Sequence, residues 1–497
     1  MTSRVRTRFA PSPTGFLHIG GFRSAFYAWL LARHCGGDFI LRIEDTDQAR
    51  KVPGAVQLIL EGFRWFGIDI DEGPSNEELR AVDDEIHEMP NLQGDFGPYV
   101  QSLRLARYRE VAEQLIASGH AFRCDCSPEQ LAEERKLQEQ NKETPGYRGR
   151  CRDRNVPADK PHIVRFRMPE NPQVSLEDGI RGTITWESIP LRDPILMKSD
   201  AFPTYHLAVV VDDHDMRISH AMRGEEWIPS APLHVLLYQA LGWQMPIFCH
   251  LPVVLGADGK KLSKRHGATS WSSFRDDGYL PEAVLNFIVR IGWSPGDGDD
   301  QEIFSKEELI ERFSLDRVNS SSGVFDYDKL NWMNGTYLRA LSLDEFTERA
   351  SDWIRQGGMD PGSPEWQIIG PHIQERAKTF KEIPELLEFA RRDGFEPQLS
   401  QLFSKKLDKD LATRILRASQ ERLASLSDFT AAGLERELED QATALSEKAG
   451  PVFLSHRIAV LGKKATPPLC ESMQALGRDE VLRRLSLSLE RIAGFPG

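Results

Sequence analysis

The sequence predicts an α/β protein whose parallel sheet is split by an α+β insertion and followed by an all-helical C-terminal third. Three observations predict it. A short β-prone run, Val5–Phe9, enters a Pro/Gly/Ser-punctuated loop and a helical pattern, and a buried strand follows at Asp38–Asp45. Strand, helix and strand at this spacing form a βαβ unit, so a parallel sheet is expected. That pattern gives way between Cys124 and Pro194 to short alternating strands, and it resumes at Tyr205. Beyond Pro281 helical periodicity recurs to the end of the chain.

The first unit is organised by Arg8-Phe9-Ala10-Pro11-Ser12-Pro13-Thr14-Gly15-Phe16-Leu17-His18-Ile19-Gly20-Gly21. The helix after it places Phe22, Phe26, Trp29 and Leu30 on one face, with Gly36-Gly37 as a natural C-cap. A Gly-rich turn opening a helix aims backbone N–H groups and a positive dipole end at an anion. His18 precedes the glycine pair and can reach the same anion. The loop matches neither the Walker pattern nor Gly-x-Gly-x-x-Gly. Pro53–Phe66 reads as the next helix, residues 74–97 as an acidic surface excursion, and Leu103–Ser118 as an amphipathic helix.

The insertion holds a Gln/Glu/Lys-rich helix at 128–141 and strands at 162–167 and 182–186. The resumed α/β pattern has an apolar run, Tyr205–Val211, closing on Asp212-Asp213-His214. A helix at Pro229–Leu241 and a strand at Phe248–Leu255 follow. Helices are then expected at Pro281–Ile291, Lys306–Phe313, Leu343–Gln356, Ile368–Phe389 and Asp479–Ile492, with Gly/Pro clusters between them. There is no internal repeat and no low-complexity tract.

A chain of 497 residues holds several domains on the usual size prior. A net charge of −13 argues against a surface that coats nucleic acid at large, yet basic residues cluster at 148–154 and 260–266. No apolar run is long enough to span a bilayer, and the N-terminus lacks a signal-type apolar region. A cytosolic, cytoplasmic protein without a membrane partner is expected. Six cysteines do not make a disulfide scaffold. Cys35, Cys249 and Cys470 are isolated, whereas Cys124, Cys126 and Cys151 stand close together.

The second functional loop is Gly256-Ala257-Asp258-Gly259-Lys260-Lys261-Leu262-Ser263-Lys264-Arg265, directly after the last strand of the split sheet. Ligands in open α/β sheets gather at the carboxyl ends of strands, so this loop and the His18 loop should face one crevice. Lysines supply mobile point charges suited to phosphate.

Taken together, His18-Ile19-Gly20-Gly21 and Lys261-Leu262-Ser263-Lys264-Arg265 resemble the paired signatures of class I aminoacyl-tRNA synthetases, in the forms typical of the glutamate branch. Arg8–Gly15, Leu41–Asp47 and Arg223-Gly224-Glu225-Glu226-Trp227 are similar to that branch too, and the bacterial-type match spans nearly the whole chain. The resemblance implies a Rossmann-type catalytic domain at 1–115 and 196–258, split by an acceptor-binding module at 116–195. A loop and stem-contact region at 259–335 and an α-helical anticodon-binding region at 336–497 would complete it. The implied activity is glutamate–tRNA ligation: ATP with Mg2+ converts L-glutamate to glutamyl-adenylate, and the acyl group passes to the terminal ribose of tRNA(Glu). A monomer is expected.

The same resemblance assigns roles. His18, Lys261 and Lys264 would be the catalytic residues. Pro11, His18, Gly20, Gly21, Glu225 and Lys264 would bind ATP. Arg8, Ser12, Glu44, Tyr205 and Arg223 would bind glutamate, with Val209 standing where some relatives carry Asn. Guanidinium binds carboxylate bidentately, which suits Arg8 and Arg223 to a dicarboxylate. A non-discriminating enzyme that also charges tRNA(Gln) is one alternative, and a catalytically inactive tRNA-binding interaction protein is another.

Cys124-Asp125-Cys126, with Cys151 on a returning loop, can converge on a tetrahedral Zn2+ of structural type. In a reducing compartment the metal reading prevails over a disulfide. A fourth ligand must come from Tyr147, Asp153 or His162. The pattern resembles the zinc site of the acceptor-binding module in some glutamyl-tRNA synthetases, which implies Tyr147. The neighbouring Arg148, Arg150, Arg152 and Arg154 can meet the acceptor backbone.

Overall fold

The computed structural model describes residues 4–15, 19–83, 91–92, 94–143, 145–189, 192–262, 270–404 and 407–495. His18, Lys264 and residues 84–90 and 93 of the acidic excursion lie outside the described residues. Two compact units are present, residues 1–274 with 284–326, and residues 275–283 with 327–497. The stretch expected as one connecting region, 259–335, is therefore shared between them.

In the first unit a six-stranded sheet runs in the order Asp38–Leu41, Arg6–Phe9, His220–Gly224, Ile247–Leu251, Val174–Asp178, Gly182–Trp186. All neighbouring pairs are parallel except the last, which is an antiparallel hairpin. The Gly182–Trp186 strand, expected inside the inserted module, joins this sheet instead through Val174–Asp178, whose Asp178 stands opposite Phe248. The module keeps its own antiparallel sheet of Ala121–Cys124, Ile163–Phe166 and Ile195–Met197. Alternation along a strand does not say which sheet it joins; only pairing decides that.

The first helix spans Ile19–His34 and carries no acid in its first turn, while Arg33 and His34 sit in its last. Its positive end is thus left for a ligand, and its negative end is met by cations. Gly36 caps it in the left-handed region at φ 61°. Gly37 must stay bare, because a Cβ there would lie 2.0 Å from the Val5 carbonyl oxygen. Phe22, Phe26, Phe63 and Phe66 pack against one another at ring separations of 4.7 to 5.8 Å.

The apolar run at 205–211 is helical, Tyr205–Asp215, and buried from Leu207 to Asp213. A short apolar stretch buried on every side has no readable period, so pattern cannot separate helix from strand there. The second unit is helical. Its expected helix 368–389 breaks into Pro364–Arg376 and a short turn Ile383–Leu386. Pro384 cannot donate within a continuous helix, and the Phe380 amide bonds instead to the Gly278 carbonyl at 3.0 Å. Arg484, fully buried, ties this unit together through the carbonyls of Phe389 (2.7 Å), Val460 (2.8 Å) and Arg391 (2.7 Å). Among the described residues no helix is long and apolar enough to cross a membrane.

Candidate active site and metal centre

A cleft of about 820 Å3 opens at the carboxyl ends of the parallel strands. Arg8, Ser12, Gly20, Gly21, Glu44, Tyr205, Arg223 and Lys261 all line it, so both sequence loops and the predicted amino-acid set meet in one place. Pro11 and Glu225 do not line it. The Pro11 carbonyl accepts from the Glu44 amide at 3.0 Å. The Glu225 carboxylate accepts from the Val253 amide at 2.9 Å and from Arg181. Lys261 is exposed, its Nζ 3.9 Å from Glu226. Val209 is buried in the adjoining core and takes no part in the lining.

The cleft floor is a buried lattice of charges. Arg8 donates from Nε and Nη2 to Asp213 at 3.1 Å each and from Nη1 to the Met222 carbonyl at 2.8 Å. Arg42 donates to Asp213 at 2.7 Å and to Glu44 at 2.8 Å. Asp212 accepts from Arg104 (2.7 Å), Gln101 (2.8 Å) and Tyr108 (2.9 Å). Burial pushes the Glu44 carboxyl up, against the pull of Arg42. Burial pushes on Asp213 as well, yet Arg8 and Arg42 hold it below the usual aspartate value. Pairing of this kind offsets the cost of taking the charges out of water. Arg42, Asp212 and Asp213 were not singled out from sequence. Their signal was there: two acids closing an apolar run, and an arginine between Leu41 and Ile43, all destined for the interior.

Arg223 differs. It is buried, and among the described residues no carboxylate lies within salt-bridge distance of it. Its Nε donates to His250 Nε2 at 3.0 Å and its Nη1 to His234 Nδ1 at 2.9 Å. Its Nη2 is buried with no partner.

In the inserted module the sulfur atoms of Cys124, Cys126 and Cys151 lie within 4.8 Å of one another. The Tyr147 hydroxyl accepts from the Cys151 amide at 2.7 Å, and Asp125 Oδ1 lies 3.4 Å from the Cys151 sulfur. Burial and the neighbouring thiols push Cys126 up to about 12. Crowded thiols of this kind ionise together only around a cation. Asp153 is not brought there: its side chain is 91% exposed and pairs with Arg167. His162 is half-buried and turned to the Lys160 carbonyl at 2.7 Å. Of the four module arginines, Arg152 is committed to Asp193 (2.6 and 2.7 Å), Arg148 to Glu143 and Arg154 to Asp125. Arg150 is exposed.

Residues 4–332 match the family described as tRNA synthetases class I (E and Q), catalytic domain, and residues 345–489 match an anticodon binding domain. The split parallel sheet, its cleft and the helical unit are those of a class I tRNA synthetase. The chain is 43% identical over 501 residues to a glutamate–tRNA ligase of Dehalococcoides mccartyi, covering 100% of this chain and 99% of that protein. It is 39% identical to the glutamate–tRNA ligase of Borreliella burgdorferi, with 98% of each covered. A solved glutamate tRNA ligase of Elizabethkingia meningosepticum, in complex with its amino acid, superposes with a TM-score of 0.87 at 33% identity, covering 99% of this chain and 100% of that one. The chain belongs to the glutamate–tRNA ligase family.

Proposed function

We propose that the chain activates L-glutamate with ATP and esterifies it to tRNA(Glu). The observation that carries this reading is the buried charge of the cleft: Arg8 and Arg223 with one buried acid, Glu44, while the third buried arginine of the lining, Arg23, is bonded to the Ile291 and Pro252 carbonyls. Glutamate offers the complement, two carboxylates and one ammonium. Arg8 uses three of its N–H donors on Asp213 and Met222 and keeps others for a ligand. Ser12 and Tyr205 add hydroxyls to the same lining.

In the first step a glutamate carboxylate oxygen attacks the α-phosphorus of ATP, and the bond to pyrophosphate breaks. In the second, a hydroxyl of the terminal ribose attacks the acyl carbon and AMP leaves. Neither step needs a protein nucleophile; positioning and charge stabilisation supply the rate. Gly20 and Gly21 lie in the first turn of a helix that carries no acid there, so its positive dipole end is available to the phosphates. His18, Lys261 and Lys264 supply further cationic or donor groups there on the family resemblance. Bound Mg2+ would neutralise phosphate charge. The pyrophosphate-exchange test is direct: glutamate-dependent exchange is measured in the presence and in the absence of tRNA, and no exchange under either condition overturns the reading. Charging tRNA(Glu) and tRNA(Gln) side by side decides whether the enzyme discriminates.

Cys124, Cys126, Cys151 and Tyr147 would hold Zn2+, supporting the loop that carries Arg148 and Arg150 towards the tRNA acceptor end. Three sulfurs and a hydroxyl make a closed donor set, which is the structural type. Elemental analysis of protein purified without chelator should find about one zinc per chain, as expected for a four-ligand site. Protein free of zinc would dismiss the site.

A further inference from the structure

The guanidinium of Arg223 is held from behind by groups that carry no charge. Arginine can only donate hydrogen bonds. His250 Nε2 and His234 Nδ1 therefore present lone pairs to it, at 3.0 and 2.9 Å. His250 places its remaining proton on Nδ1, donated to Asp178 at 2.5 Å. His234 places its own on Nε2, donated to His206 Nδ1 at 3.0 Å. Both rings are 0% exposed. The ring of Phe248 lies 4.5 Å from the guanidinium carbon, a third uncharged neighbour. Arg8, in the same cleft, is gripped by the acid Asp213 instead.

We infer that His234 and His250 are positioning residues for the substrate carboxylate: neutral imidazoles that orient Arg223 without neutralising it. The inference rests on the proposed role of Arg223 as a glutamate clamp. A carboxylate in either place would orient the guanidinium equally well. It would also satisfy the charge in advance, and a substrate carboxylate would then add little. Two imidazoles fix the plane and consume Nε and Nη1, leaving Nη2 unpartnered. Asp178 and His206 enforce the arrangement by taking the distal proton of each ring. Burial lowers His234 well below the ordinary histidine value and lowers His250 too, consistent with rings that stay neutral.

Matched substitutions test this, since each pair differs in charge and scarcely in shape. Asparagine can offer an oxygen where Nδ1 of His234 stood, and glutamine where Nε2 of His250 stood. His234→Asp should raise the KM for glutamate in ATP–pyrophosphate exchange at least tenfold over His234→Asn. His250→Glu should do so over His250→Gln. Within each pair kcat and the KM for ATP should agree within threefold. Equal glutamate KM values within both pairs would overturn the inference. Arg223→Gln separates the two layers: an unchanged glutamate KM there removes the clamp itself, whereas a large rise with no difference inside the pairs removes only the histidine role. If the buried variants do not fold, the wild-type enzyme still answers. Nitrogen-15 shifts of its labelled histidines should show His234 protonated on Nε2 alone and His250 on Nδ1 alone at neutral pH. An imidazolium at either position overturns it.

Discussion

Asp213 is the acid on which two cleft arginines converge, and its behaviour sets what the floor of the site tolerates. It accepts from Arg8 and from Arg42 within 3.1 Å, all three groups out of water. Removing one partner of a buried set leaves uncompensated charge, so Asp213→Asn should cost about 3–5 kcal/mol at neutral pH. The sign of its pH dependence follows from a depressed value: the ionised form is favoured by folding. Its contribution is complete above the ordinary aspartate value of 3.8 and is lost as pH falls through the lower folded value. Thermal melts of wild type and Asp213→Asn between pH 7 and pH 2 should run parallel at first and converge below the ordinary aspartate range. A gap that persists unchanged at the acid end would contradict the pairing. At the same scale, Arg8 and Arg223 show why residue type is not residue state. One is paired with an acid 205 positions away and the other, among the described residues, with two histidines and no acid.

Among the elements, the helix Ala449–Leu461 of the second unit carries a titratable group with no solvent outlet. His456 is fully buried, its Nδ1 bonded to the Val452 carbonyl at 2.8 Å and its Nε2 without a partner. Burial holds it down at about 4, against an ordinary 6.5. The unfolded chain therefore binds a proton between those values while the folded chain does not, so stability is lost as pH falls through that window. This group alone should remove about 2 kcal/mol between pH 7 and pH 5. His456→Leu should flatten that slope in chemical denaturation of the full chain; an unchanged slope would place the acid sensitivity elsewhere. Elements also mark where pattern reading stops. The helix Leu343–Gln356 matches its expected bounds because a wide apolar face and a Ser342/Glu345 capping box are both local signals. The helix Tyr205–Asp215 had no such face, being buried on every side.

On the scale of the whole molecule, an acidic chain of net charge −13 must bind a polyanion through local basic patches. Affinity for tRNA should then fall steeply with salt, by tenfold or more between 50 and 200 mM if several phosphates are contacted, which counterion release gives as an order-of-magnitude estimate. The glutamate KM, set in a buried cleft where screening is weak, should move little. Filter binding and exchange assays over the same salt series check both. A flat tRNA response would mean that the partner is held without phosphate contacts. The exposed Arg150 is the first candidate for such contacts, since Arg152 is already spent on Asp193.

By itself the sequence determined the class of fold, the order of the domains, the two loops that share a cleft, and the cysteine cluster. These are local patterns: a βαβ spacing, a Gly-rich turn before a helix, thiols one residue apart. Only the tertiary structure decided that the 174–186 hairpin joins the catalytic sheet, that Asp125 rather than Asp153 stands beside the thiols, and that Arg223 is held by two histidines. The reason is physical. Strand partners, ion pairs and the protonation of buried rings depend on which distant side chains share a dry interior, and adjacency along the chain carries little of that information.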